Sequence, residues 1–141
     1  MAIFFPPCTH LASSGARWFK DKQEEQKDAL DFVRELMGAD IPKIALENPV
    51  GVISTRIRKP DQIIQPYWFG DRARKTTCLW LKNLPRLEAT NMVEPNLITY
   101  ANGKTFSADY GVGFSTNHNH RRSITYRGIA QAMASQWGQK P

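Results

Sequence analysis

Two short segments carry side chains able to do covalent chemistry. Phe5-Pro6-Pro7-Cys8-Thr9 places a thiol directly after two prolines, and Glu47-Asn48-Pro49-Val50 places a carboxylate beside an amide. A cysteine thiolate adds to electron-poor carbon, and a carboxyl group within reach of the same ligand can give or hold the proton that the addition moves. A third group is cationic: Arg56, Arg58, Lys59, Arg72, Arg74 and Lys75 stand against Asp61 and Asp71. Such a cluster is either a solvated face or a contact for a polyanion.

The elements that must position these groups can be read from apolar patterning. Ala2-Ile3-Phe4-Phe5 is a short buried strand that stops at Pro6-Pro7, because proline cannot continue a ladder. Asp21 with Glu24 three residues on predicts a capping box. Ala29, Phe32, Val33, Leu36 and Met37 then recur at helical spacing, so a helix is expected over 22–37. Lys43-Ile44-Ala45-Leu46-Glu47, between Pro42 and Asn48-Pro49, is a second buried strand. Strand, helix, strand is a βαβ unit, which implies a parallel pair with ligand groups at the carboxyl ends of the strands. Cys8 and Glu47-Asn48 occupy those ends.

Residues 51–75 look irregular, punctuated by Gly51, Pro60, Pro66 and Gly70. Thr76-Thr77-Cys78-Leu79-Trp80-Leu81 is a third strand with Cys78 in the core. Asn102-Gly103, between Leu97-Ile98-Thr99-Tyr100 and Lys104-Thr105-Phe106, predicts a type I′ hairpin. Ile129, Ala130, Met133, Ala134 and Trp137 form the stripe of a closing helix that Gly138 ends. Trp68, Phe69, Trp80 and Trp137 are read as core. Residues 1–141 form one domain: a βαβ core with basic loops over 1–91, a variable hairpin excursion over 92–122 and a C-terminal helix over 123–138.

Composition sets the frame. The 141 residues include 19 Lys and Arg against 13 Asp and Glu, a net charge of +6, with 41% hydrophobic residues and two cysteines. A chain of this size can bury a core without disulfides, and its charge and aromatic content exclude a wholly disordered or disulfide-rich class. No apolar run approaches the about 20 residues that span a bilayer, and no secretory leader is evident, so no membrane partner and a cytoplasmic location are expected. His118-Asn119-His120 spells a nuclease motif without the surrounding frame and is read as a loop. Cys8-x-His10 with Cys78 or His118 lacks the paired spacings of zinc modules, so no metal is expected.

The two chemistry-bearing segments resemble the Pro-Cys nucleophile loop and the Glu-Asn-Val loop of cytosine-C5 DNA methyltransferases, in the same order. A closer resemblance is to phage-type proteins described as DNA cytosine methyltransferase-like. It runs through Glu47-Asn48-Pro49-Val50-Gly51, Lys59-Pro60-Asp61-Gln62-Ile63-Ile64-Gln65-Pro66, Phe69-Gly70, Thr77-Cys78-Leu79-Trp80-Leu81-Lys82 and Tyr126-Arg127-Gly128-Ile129-Ala130-Gln131-Ala132-Met133-Ala134. The resemblance implies an α/β fold, a partial Rossmann-like methyltransferase sheet with a βαβ core, a basic irregular insertion and a C-terminal helix. It implies Cys8 as nucleophile at cytosine carbon 6, Glu47 as the acid at ring nitrogen 3, and Asn48 fixing the loop. Pro7, Arg56, Arg58, Arg72, Arg74 and Lys75 would contact DNA around a flipped base. Gly128 and Ala130 lie in the segment resembling the motif whose helix returns to the S-adenosylmethionine pocket.

This sequence departs from the pattern in three places. Such enzymes carry a glycine-rich cofactor loop before the Pro-Cys motif, whereas seven residues precede Cys8, and Gly111-Val112-Gly113 is a poor substitute. Pro49 stands where the wider class has Val, and Thr9 where it has Gln. The expectation is a methyltransferase-like chain whose cofactor half comes from another polypeptide, another protomer or upstream sequence. The alternative is a catalytically inactive nucleic-acid-binding remnant or accessory protein.

Overall fold

A computed structural model describes residues 1–108 and 124–138 and divides the chain into two compact units. One unit comprises Met1–Ile64 and Thr76–Arg86, the other Gln65–Lys75 and Leu87–Pro141. Among the described residues the fold is mixed α/β, with a four-stranded sheet, a two-stranded sheet and three α-helices.

In the first unit, β1 (Ala2–Phe4), α1 (Gln23–Gly38) and β2 (Ile44–Pro49) form the expected βαβ arrangement. β1 and β2 are parallel neighbours, with Ala2, Ile3 and Phe4 level with Ile44, Ala45 and Leu46. The stretch expected to be irregular holds more structure than its punctuation suggests: α2 (Ile53–Arg56) and β3 (Gln62–Ile64). β3 and β2 each pair antiparallel with β4 (Thr77–Lys82), giving the order β1-β2-β4-β3. Antiparallel neighbours need no helical crossover, so a segment rich in Gly and Pro can still deliver a strand.

α1 starts without the expected capping box. Asp21 ends a 3-10 helix (Ser13–Asp21) instead, and Lys22 occupies the N-cap with no side-chain bond. Glu24 and Glu25 then sit in the first turn, where the helix dipole favours carboxylates. Leu30 and Val33 bury against Leu11, Leu46, Ile53, Cys78 and Trp80, with Ala29, Leu36 and Met37 packed alongside. Each fully buried aliphatic side chain contributes about 1.5–3 kcal/mol. Phe32 is 46% exposed, against expectation. It lies one residue, hence about 100° around the helix, from Val33. The indole N–H of Trp80 donates to the Arg58 carbonyl (2.8 Å), so this buried ring leaves no polar atom unpaired.

In the second unit, β5 (Leu97–Thr99) and β6 (Thr105–Ser107) form the expected hairpin with a different turn. Gly103 has a φ of 77° and Asn102 does not share the positive region, whereas a type I′ turn needs both. Tyr100 N–H donates to the Lys104 carbonyl and Gly103 N–H to the Tyr100 carbonyl (both 2.9 Å), leaving a three-residue loop whose left-handed position is the glycine. The closing helix, α3 (Arg127–Trp137), buries Gly128, Ile129, Ala132, Met133 and Trp137, and exposes Ala130 and Ala134, which were expected in its stripe. Phe69 and Trp137 are core residues, and Trp68 is half-buried. Gly111-Val112-Gly113 and His118-Asn119-His120 lie outside the described residues.

Candidate functional site

Because β1 and β2 are parallel and adjacent, the chain leaves both at one edge of the sheet. Extending the register sets Pro6 level with Asn48, and the Asn48 Nδ2 group donates to the Pro6 carbonyl across 3.0 Å. A carbonyl can only accept, so this bond fixes the amide's orientation. The other end of the amide, Oδ1, is buried and accepts no hydrogen bond from the described protein groups. Two residues beyond Pro6, the Cys8 carbonyl accepts from the backbone of Leu11 (3.0 Å) and Ala12 (2.9 Å), so a closed turn follows the thiol-bearing residue immediately.

That turn is fastened to the loop after β2. Ala12 and Gly51 form an antiparallel bridge, Ser13 N–H donates to the Val50 carbonyl (2.9 Å), and Val52 N–H donates to the Leu11 carbonyl (2.9 Å). A side chain at Gly51 would put its Cβ 1.8 Å from the Leu11 carbonyl oxygen. The glycine therefore permits the close approach of the two loops. From α1, Gln26 Nε2 donates to the His10 carbonyl (3.1 Å). Cys8 and Glu47 are half-buried, Asn48 is buried and Pro7 is exposed.

The side chains of Glu47 and Asn48 leave β2 on opposite faces, as alternation requires. Asn48 shares the α1 side with Leu46 and lies level with Cys78, while Glu47 lies level with Leu79 on the other side. Cys8 and Glu47 thus belong to one sheet edge, with the carboxylate arriving from the face away from α1. No family model, curated protein or solved structure matches this chain. The site's chemistry therefore has to be argued from its own residues.

The remaining expected contacts divide between the units. In the first, Arg56 is exposed, and Arg58 is bound to its own unit through Asp61 (2.8 Å) and the Leu81 carbonyl (3.3 Å). Burial alone would raise the Asp61 carboxyl, but the hydrogen bonds from Arg58 and the Leu81 backbone hold it below the ordinary value. In the second unit, Arg72 donates to the Glu94 carbonyl (3.2 Å). Arg74 donates to the hydroxyl (2.9 Å) and carbonyl of Thr105, and Lys75 stands 5.9 Å from the centre of the Tyr126 ring. Gly128 and Ala130 belong to this unit too. Gly128 N–H donates to Asp71 Oδ2 (2.8 Å), and a Cβ there would lie 1.9 Å from the Phe69 carbonyl, while Ala130 is exposed. The missing side chain of Gly128 is used by packing, and Asp71 supplies a cap for α3 from outside the helix. Sequence reading found neither this role nor that of Gly51, although Gly51 directly follows Glu47-Asn48-Pro49-Val50. Among the described residues no three of His, Cys, Asp and Glu gather into a metal-binding group, and no helix is long and apolar enough to cross a membrane.

The two thiols differ in burial, Cys8 being half-buried and Cys78 buried. Burial first, then the negative charge of Glu47, pushes the Cys78 thiol up to about 11 from an ordinary value of 9.0. Iodoacetamide at pH 8 is expected to alkylate Cys8 and leave Cys78 intact in the folded chain, read by mass spectrometry of the peptides. The unfolded thiol ionises first, so Cys78 contributes stability that is full below about pH 9 and lost as pH rises towards about 11.

Proposed function

We propose that this chain carries the nucleophile and the acid of a cytosine-C5 methyl transfer, acting on DNA with a partner that holds the methyl donor. On this reading the four-stranded sheet is the catalytic-side half of a Rossmann-like methyltransferase sheet. The observation that carries the reading is the joining of the Pro-Pro-Cys turn and the Glu-Asn loop at one sheet edge, fastened by the Asn48 to Pro6 hydrogen bond.

Cytosine carbon 5 is a poor nucleophile until the ring is activated. The Cys8 thiolate forms a bond to carbon 6, the C5=C6 pair moves to C4=C5, and ring nitrogen 3 takes up the displaced pair together with a proton from Glu47. The resulting enamine is nucleophilic at carbon 5. In water it takes a proton there; loss of the original carbon-5 hydrogen to water, expulsion of the Cys8 thiolate and return of the ring-nitrogen proton to Glu47 restore the base. Asn48 holds the Pro6 carbonyl and so positions the turn that carries Cys8.

S-adenosylmethionine does not fit the residues assigned to it: Gly128 is packed against Phe69 and Asp71, and Ala130 projects from an exposed position of α3. The steps above need only this chain and the base. The same misfit favours the second reading, a nucleic-acid-binding chain without chemistry.

A cofactor-independent trap separates the two. Pyrimidin-2-one lacks the 4-amino group and is more electrophilic at carbon 6, so a DNA oligonucleotide containing it is expected to attach covalently to the full chain. The adduct should appear as a denaturing-gel shift, map to Cys8 by mass spectrometry, disappear in Cys8→Ser and persist in Cys78→Ser. A folded chain that forms no adduct with single- or double-stranded forms overturns the reading.

A further inference from the structure

The second unit exposes an aromatic face that the chemistry at Cys8 does not use. On the β5–β6 ribbon, Ile98 pairs with Phe106, and Tyr100 meets Phe106 diagonally with ring centres 5.4 Å apart and planes at 82°. Tyr100 and Phe106 each keep 45% of their surface exposed, and Ile98 38%. By strand alternation Lys104 lies on this same face. The opposite face is anchored: Arg74 N–H donates to Ser107 Oγ (3.2 Å), and the Arg74 guanidinium donates to Thr105 Oγ1 (2.9 Å). Asn96 N–H donates to the Arg72 carbonyl (2.8 Å), and Ala108 N–H to the Asn96 carbonyl (2.8 Å), fixing the ribbon's open end. The anchoring presents the aromatic pair outward on a fixed support.

We propose that this face is a stacking platform for unpaired bases of single-stranded DNA. The occupant follows from two properties found together. Aromatic rings with nearly half their surface open offer π-faces to any base, a contact that is tolerant of sequence. The charge near the ribbon favours a polyanion: among the described residues of this unit five Lys and Arg stand against three Asp and Glu, with Lys104 on the aromatic face itself and the exposed Arg72 beside the ribbon's open end, bonded to the Glu94 carbonyl. An apolar protein partner would gain nothing from that excess. The platform needs nothing from Cys8, so it stands or falls apart from the proposed chemistry.

Fluorescence anisotropy with labelled single-stranded oligo(dT), an abasic strand of equal length, the matching RNA and a duplex tests it on the full chain. Oligo(dT) should bind at least about fivefold tighter than the abasic strand, the size expected for one stacked base, and tighter than the duplex. Phe106→Leu and Tyr100→Leu keep apolar bulk and lose the π-face, so each should weaken oligo(dT) binding by about fivefold or more. Phe106→Tyr should restore it, Lys104→Gln should flatten the salt dependence, and Gly38→Ala, with nothing within 4 Å of its Cβ position, should leave binding unchanged. Equal affinity for abasic and base-bearing strands, or undiminished binding by both leucine variants, overturns the platform; a preference for RNA or duplex overturns its assignment to single-stranded DNA.

Discussion

Gly51→Ala costs the folded state about 3 kcal/mol or more, the upper range for forcing atoms into a packed site. The added Cβ meets the Leu11 carbonyl oxygen at 1.8 Å and the Ala12 Cα at 2.9 Å, and both obstacles are backbone, which cannot rotate aside. Relief requires the two loops to part. That breaks the Val52 to Leu11 and Ser13 to Val50 bonds, and with them the fastening of the turn beyond Cys8. Guanidinium unfolding should show the lower midpoint, and alkylation of Cys8 should be faster in the variant under native conditions. Gly38→Ala is the control. Nothing lies within 4 Å of its Cβ position, and the residue is the last of α1, so alanine should be neutral or stabilise by up to about 1 kcal/mol. A Gly51→Ala midpoint matching that of the control would mean the loops are not held together as described.

Gly51 also marks where the sequence stopped being legible. β1, α1 and β2 were readable because each carries an apolar pattern of its own: the run 2–5, the repeat of Ala29, Val33, Leu36 and Met37, and the run 44–46; β2 buries its run fully, whereas β1, expected to be buried, is half-buried and Phe5 stays exposed beyond its end. The placement of Cys8 and Glu47-Asn48 at strand ends followed from those patterns, since parallel neighbours share an edge. β3 was missed because Gln62-Ile63-Ile64 is too short for a period and follows Pro60-Asp61; its pairing with β4 supplies what the local pattern lacks. The turn at Gly103 was misread because Asn-Gly also serves a three-residue loop in which the glycine alone is left-handed. Long-range contacts left no local trace. Asp71 and Gly128 are 57 residues apart, and nothing near Asp71 announces that its carboxylate caps α3. The basic residues of 56–75 looked like one patch because they are neighbours in sequence, yet Arg58 and Arg74 are engaged inside separate units.

Glu47→Gln slows adduct formation at Cys8 by about 10²-fold or more, the range for a positioned proton donor. The substitution is close to isosteric, and glutamine can still offer an N–H to ring nitrogen 3, but it cannot surrender a proton. The base must then accommodate the pair displaced by sulfur without neutralisation, and the barrier to addition rises. Rates of pyrimidin-2-one capture by the full chain, with and without the substitution, measure this directly. Integrity of the fold has its own readout in Cys78, whose thiol is raised by burial and then by the Glu47 charge. Removing that charge should move the Cys78 alkylation profile to lower pH while burial keeps it above an ordinary thiol. A variant that shifts Cys78 and captures the base at the unaltered rate would exclude Glu47 as the acid, leaving Cys8 to act without it. If capture slows and Cys78 shifts, one carboxylate accounts for both effects, as expected of a group at the end of β2 whose charge acts on Cys78 and whose proton goes to the base.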